Sequence, residues 1–234
     1  MNIRKILLLQ FICLLSVFYC HAGGNGSFTI GADVGPGFSS LYGSSSYTNS
    51  ISNPHLVEAS ASAGINFRYN FPKIFSIGSG ISYCQLGYNR YRWTDTILTG
   101  ARYRGAWNTI NIPLLARVSF GKKIVFFAEA GPFLGISLNR PYLLSGFYLY
   151  SGMAQSFWYS VNIINVGIML GTGIQMPLPH HFALNFEACS NVGLENILLN
   201  EGAPSVKTYC CTLLCGFNYT LPEITRKQKI PDQK

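Results

Sequence analysis

From residue 108 to residue 137 the chain alternates with a period of two. Ile110, Ile112, Leu114, Ala116, Val118 and Phe120 fall on one side. Thr109, Asn111, Pro113, Leu115, Arg117 and Ser119 fall on the other. Gly121-Lys122-Lys123 interrupts as a polar turn, and alternation resumes with Ile124, Phe126, Ala128, Ala130, Pro132, Leu134 and Ile136. Period two, with β-branched and aromatic residues around a short turn, predicts a β-hairpin. Its arms are far longer than the usual strand of about 5–6 residues.

The same pattern recurs along the chain. Strands are expected at about 27–39, 56–70, 74–89, 161–176, 181–194 and 205–221, which with the two hairpin arms makes eight. One face of each is apolar, as in Phe28, Ile30, Ala32 and Val34, or in Leu213, Cys215, Phe217 and Tyr219. The opposite face is Gly, Ser, Thr and Asn with few charges. The connections alternate in length. Phe71-Pro72-Lys73, Gly121-Lys122-Lys123 and Pro177-Leu178-Pro179-His180 are short, whereas 41–55, 90–104, 139–160 and 195–204 read as long loops. Eight alternating strands with short turns at one end and long loops at the other predict an all-β fold. The expected architecture is an eight-stranded antiparallel transmembrane β-barrel, an up-and-down meander. Lipid offers no partner for an open strand edge, so the first strand must pair with the last. A soluble eight-stranded barrel would also alternate, but its outer face would be rich in Lys and Glu. Tyr69, Phe71, Phe75, Phe120, Phe182 and Tyr219 would mark the periplasmic rim, and Tyr88, Trp107, Trp158, Tyr159 and Tyr209 the outer rim.

Composition agrees. Charged residues make up 11% of the 234, against about 25% in ordinary soluble chains. At the N-terminus, Arg4-Lys5 precede an uncharged run, Ile6 to Tyr19, and then Cys20-His21-Ala22. This is the pattern of a secretory signal peptide, expected over residues 1–22. Residues 23–221 then form the barrel domain and 222–234 a polar tail. The net charge of +8 loses Arg4 and Lys5 with the signal and falls to +6. The basic residues are scattered, which argues against nucleic acid as a partner.

The charges on expected strands share the inward parity: Asp33, Glu58, Arg68, Arg117, Glu129 and Glu187. Arg117 and Glu129 lie across one hairpin in matching parity. These six residues are expected to form a structural polar network filling a narrow lumen, which eight strands leave just wide enough for side chains. The competing reading is an ion path. The long segment 139–160 carries Tyr142, Phe147, Tyr148, Tyr150, Phe157 and Trp158, a candidate contact surface. Five cysteines follow the signal segment: Cys84, Cys189, Cys210, Cys211 and Cys215. An odd number leaves at least one unpaired. Their positions within strands fit small apolar residues on a barrel wall. No zinc spacing and no phosphate-binding glycine loop occurs, so no cofactor and no metal is expected.

Several stretches resemble the PorT-type outer-membrane β-barrel family of Bacteroidota. They are FTIGADVGPGFS at 28–39, NTINIPLLARVSF at 108–120, AEAGPFLGISL at 128–138, NVGIMLGTGIQMPL at 165–178 and TLLCGFNYTL at 212–221. The resemblance implies an outer-membrane location, with a link to protein secretion through the founding member, and no catalytic residue to carry over. The expected partners are outer-membrane lipid and lipopolysaccharide, and envelope or secretion-system proteins. The functional expectation is a non-enzymatic scaffold displaying loops outside the cell. A small pore is the alternative. An outer-membrane hydrolase would need a base beside a nucleophile, and His55 in a Ser-rich loop is the one histidine on the outer side.

Overall fold

A computed structural model describes residues 26–43, 57–92, 101–138, 142–150, 153–160, 162–197 and 205–222. The expected signal segment, the tail beyond 222 and His55 lie outside the described residues. Ten strands occur in them: β1 (Ser27–Gly43), β2 (Glu58–Asn70), β3 (Phe75–Arg92), β4 (Ala101–Phe120), β5 (Val125–Ser137), β6 (Tyr142–Tyr150), β7 (Met153–Ser160), β8 (Ile164–Pro177), β9 (Phe182–Gly193) and β10 (Val206–Thr220).

Eight of these close into one antiparallel barrel in the order β1-β10-β9-β8-β5-β4-β3-β2. The closing ladder runs from Thr29↔Thr220 to Gly43↔Val206, so the sheet has no open edge along this seam. Its register skips Gly35 and Pro36, between Val34↔Cys215 and Gly37↔Thr212. Proline has no N–H to give to a ladder, and the wall is locally irregular there.

The alternation sets the two faces. The outer wall carries exposed Ile30, Val34, Phe38, Ile65, Phe67, Ile81, Val118, Ile168, Leu170, Phe186, Leu213 and Phe217. A continuous apolar surface of this extent needs lipid rather than water around it. An aromatic girdle surrounds the end with the short turns. Phe28 packs on Tyr69 at 5.2 Å between ring centroids, Tyr69 on Phe71 at 4.9 Å and Phe71 on Phe75 at 5.6 Å. Phe120 stacks on Phe126 at 5.8 Å, and Phe182 meets Tyr219 at 5.0 Å. Short turns mark the periplasmic end of such barrels, so this girdle lies at the periplasmic interface.

Two expected loops contain strand among their described residues. Segment 139–160 holds β6 and β7, which pair with each other as a separate two-stranded sheet from Tyr142↔Ser160 to Tyr150↔Met153. Segment 90–104 is shortened because β3 and β4 run on past the expected ends, through Asn89↔Arg104 to Arg92↔Ala101. Beyond the bilayer water can cover both faces of a hairpin, so these extensions need no apolar alternation. Deleting residues 142–160 removes no strand of the barrel. The shortened chain is therefore expected to retain the folded, heat-modifiable band on gel electrophoresis.

Candidate functional site

The inner face of β2, β4, β5 and β9 converges on one buried cluster. Arg117 is a β4 residue paired in register with Glu129 of β5. Its Nε and Nη2 both donate to Glu129 Oε2, each at 2.5 Å. Nη2 also lies 3.5 Å from Glu187 Oε2, on β9. From the other side, Arg68 Nη2 reaches the same Glu129 oxygen at 3.6 Å. Asn185 Nδ2 donates to Glu187 Oε2 at 3.5 Å. The guanidinium carbon of Arg117 sits 3.6 Å from the Phe127 ring centre, on a face buried to 1% exposure.

Asp33 is half-buried beside this group and accepts from Asn66 Nδ2 at 2.9 Å. Two guanidinium groups thus face three carboxylates. Removing charges from water costs several kcal/mol per ion, and only close pairing offsets it. That requirement explains why Arg68, Arg117, Glu129 and Glu187 share contacts instead of standing apart. Glycine permits the approach. A side chain at Gly171, which pairs with Glu129, would meet Glu187 Oε1 at 2.6 Å. Gly171→Val is accordingly expected to push the carboxylates apart and destabilise the barrel by about 1–3 kcal/mol, read from a urea titration.

Glu58 stands apart from the cluster. It is buried on the inward face, but it opens β2 opposite Ser39. Ten residues of extended chain, roughly 33 Å, separate it from Arg68. Parity told which way Glu58 faces; height along the barrel follows from register, which parity does not contain.

An apolar group accompanies the charges. Leu115, Phe133, Met169, Cys189 and Leu214, from β4, β5, β8, β9 and β10, form a buried cluster inside the barrel. The inner face is therefore not uniformly small and polar. Leu115 and Phe133 had the inward parity in the sequence, and the meeting of all five depends on register. Between the two groups a cavity of about 50 Å³ remains, lined by Asp33, Asn66, Arg68, Leu115, Glu129 and Glu187 among others. It has room for a few water molecules.

Toward the outer end Asn165 Nδ2 donates to Thr208 Oγ1 at 2.8 Å, and Thr109 Oγ1 to the Cys84 carbonyl at 3.0 Å. Tyr42 Oη donates to the Gly193 carbonyl at 2.5 Å, tying β1 to the end of β9. Of the candidate contact residues, Tyr142, Phe147, Tyr148 and Tyr150 belong to β6, and Phe157 and Trp158 to β7. The described residues hold no group of three or more His, Cys, Asp and Glu placed to bind a metal.

Residues 19–199 match the family model described as an outer membrane protein beta-barrel domain. Several solved structures are similar to the chain at low identity. Neisserial surface protein A is 14% identical, with 84% of this chain and 99% of that chain covered and a TM-score of 0.46. The outer membrane protein OprG of Pseudomonas aeruginosa is 13% identical, covering 85% and 97%, with a TM-score of 0.47. Ail, the attachment invasion locus protein of Yersinia pestis, is 11% identical, covering 82% and 99%, with a TM-score of 0.42. No curated protein matches the sequence. With the family model spanning most of the chain and the strands closed into a lipid-facing barrel, the chain belongs to the outer membrane protein beta-barrel domain family and resides in the outer membrane.

Proposed function

We propose that this protein is a non-enzymatic scaffold: a barrel plugged by its own side chains that presents the β6–β7 hairpin to partners outside the cell. The observation that carries the reading is the buried ion-pair cluster in the lumen, with Arg68, Glu129, Arg117 and Glu187 linked in that order by successive contacts. Charges held against one another at this range leave little to attract a passing ion. Such a network fixes the barrel wall and leaves the outer end to do the binding.

The hairpin supports the second half of the proposal. It pairs with itself as a sheet distinct from the barrel and carries Tyr142, Phe147, Tyr148, Tyr150, Phe157 and Trp158. Tyrosine and tryptophan supply contact area together with a polar tip, as binding surfaces require. The resemblance to PorT-type barrels supports envelope-biogenesis or protein-secretion components as the partners in this proposal, with lipopolysaccharide as the lipid neighbour of the outer leaflet. A photo-crosslinking amino acid in place of Tyr148 tests this in living cells. Adducts to an envelope protein or to lipopolysaccharide are expected, and none from the same group in place of Lys73 at a periplasmic turn. A hairpin without adducts would overturn the display role while leaving the barrel intact.

A further inference from the structure

The five described cysteines divide by face. Cys211 and Cys215 lie on the outer face of β10, opposite Phe38 and Val34 of β1. Cys84, Cys189 and Cys210 are buried inside. Cys84 is on β3 and Cys210 on β10, and β2 and β1 stand between those strands in the wall. Their sulfurs nevertheless lie 3.4 Å apart across the lumen. Both residues are 1% exposed, and the Ser60 hydroxyl is 3.7 Å from the Cys210 sulfur. Cys189 is turned elsewhere, with its Sγ 3.6 Å from Asn191 Oδ1.

We infer that Cys84 and Cys210 are joined by a disulfide across the lumen in the exported protein. Proteins beyond the cytoplasm live where disulfides persist. The two sulfurs need to close by about 1.4 Å to reach the bonding distance of about 2.05 Å. The thiolate of one cysteine attacks a disulfide of an oxidant, either a periplasmic protein disulfide or a small-molecule one, and releases the first thiolate of that oxidant. The thiolate of the second cysteine then attacks the mixed disulfide and expels the other thiolate. The chain gives up two electrons and two protons, and the oxidant leaves as two thiols. The approach across the lumen and the burial in the closed barrel together place this exchange during closure, as β3 and β10 come to face each other and the lumen is still open. Afterwards the same burial keeps reductants out. The bond links positions 126 residues apart and spans two intervening strands, so it restrains the unfolded chain over most of its length.

The test is a peptide map of the full chain, purified from outer membranes without reductant, unfolded in acid and alkylated with iodoacetamide. The expected map shows a Cys84–Cys210 linked peptide and alkyl groups on Cys189, Cys211 and Cys215. The link survives a thiol reductant added to the folded barrel and is lost when the reductant follows heat unfolding. The oxidised barrel is expected to have an unfolding equilibrium constant at least about tenfold smaller than the reduced one. In Cys84→Ser, Cys210 becomes alkylated and the heat-modifiable band remains. Alkylation of all five cysteines in the unaltered chain would overturn the inference, as would a link to Cys189, Cys211 or Cys215 or between two chains. The map of the unaltered chain decides by itself should Cys84→Ser fail to fold.

Discussion

Arg117→Ala is expected to destabilise the barrel by about 3–5 kcal/mol, the cost of stranding buried carboxylates without their partner. Arg117 holds Glu129 through two nitrogens and also faces Glu187. Without it, Arg68 alone faces Glu129, Glu187 and Asp33, and its contact with Glu129 is the longer one at 3.6 Å. The measurement is a urea titration of the barrel refolded in lipid vesicles, scored by the heat-modifiable gel band. The double change Arg117→Met with Glu129→Leu replaces both partners of the tightest pair by apolar groups of similar volume and is expected to recover part of the loss, with Arg68 and Glu187 left to pair with each other. A single change costing less than about 1 kcal/mol would mean that the guanidinium is solvated in the lumen, as in an open path.

Leu213→Arg is expected to cost about 2–4 kcal/mol in the same assay, the range for a cation on the lipid face at the bilayer centre. Leu213 lies in the middle of β10 on the outer face, opposite Ala188, and is 63% exposed in the isolated chain. In a water-soluble barrel, arginine at so exposed a position changes stability by about 0.5 kcal/mol or less. The substitution therefore separates the two environments that an alternating eight-stranded pattern fits. Lys73→Glu, in the short turn between β2 and β3, serves as the control and is expected to stay within about 0.5 kcal/mol.

The barrel was legible because lipid imposes one rule on every spanning residue. A position that faces outward must be apolar, and Leu213, Phe217, Ile168 and Phe186 all obey it. The closing pair followed from the same physics, since β1 pairs with β2 on one edge and β10 with β9 on one edge, and the remaining edge of each has no other partner for its backbone. What lay beyond the bilayer was harder to read. The β6–β7 hairpin has a register shift between Ser145 and Phe147, and a bulge of this kind breaks the period of two. The outer ends of β3 and β4 are rich in Arg and Tyr, a composition that reads as loop.

Within the lumen, parity gave direction without height. It put Arg117 and Glu129 on the same side of one hairpin, and the short turn of that hairpin fixes the register that sets them opposite. It set Glu58 in the same group, although the register of β1 with β2 holds it at the far end. Arg68 and Glu187 come from strands that do not adjoin β4, and Cys84 and Cys210 approach across two intervening strands. Such meetings depend on the closed shape of the barrel, which no local pattern records.

Planar-bilayer conductance of the refolded mature chain tests the central claim most directly, with heat-modifiable mobility confirming that the inserted protein is folded. The account predicts a barrel that inserts and stays electrically silent, because the ion pairs and the apolar cluster fill the lumen. Reproducible, ion-selective current steps from the folded barrel, altered by Arg117→Ala, would contradict it and make the same charged residues the lining of a path.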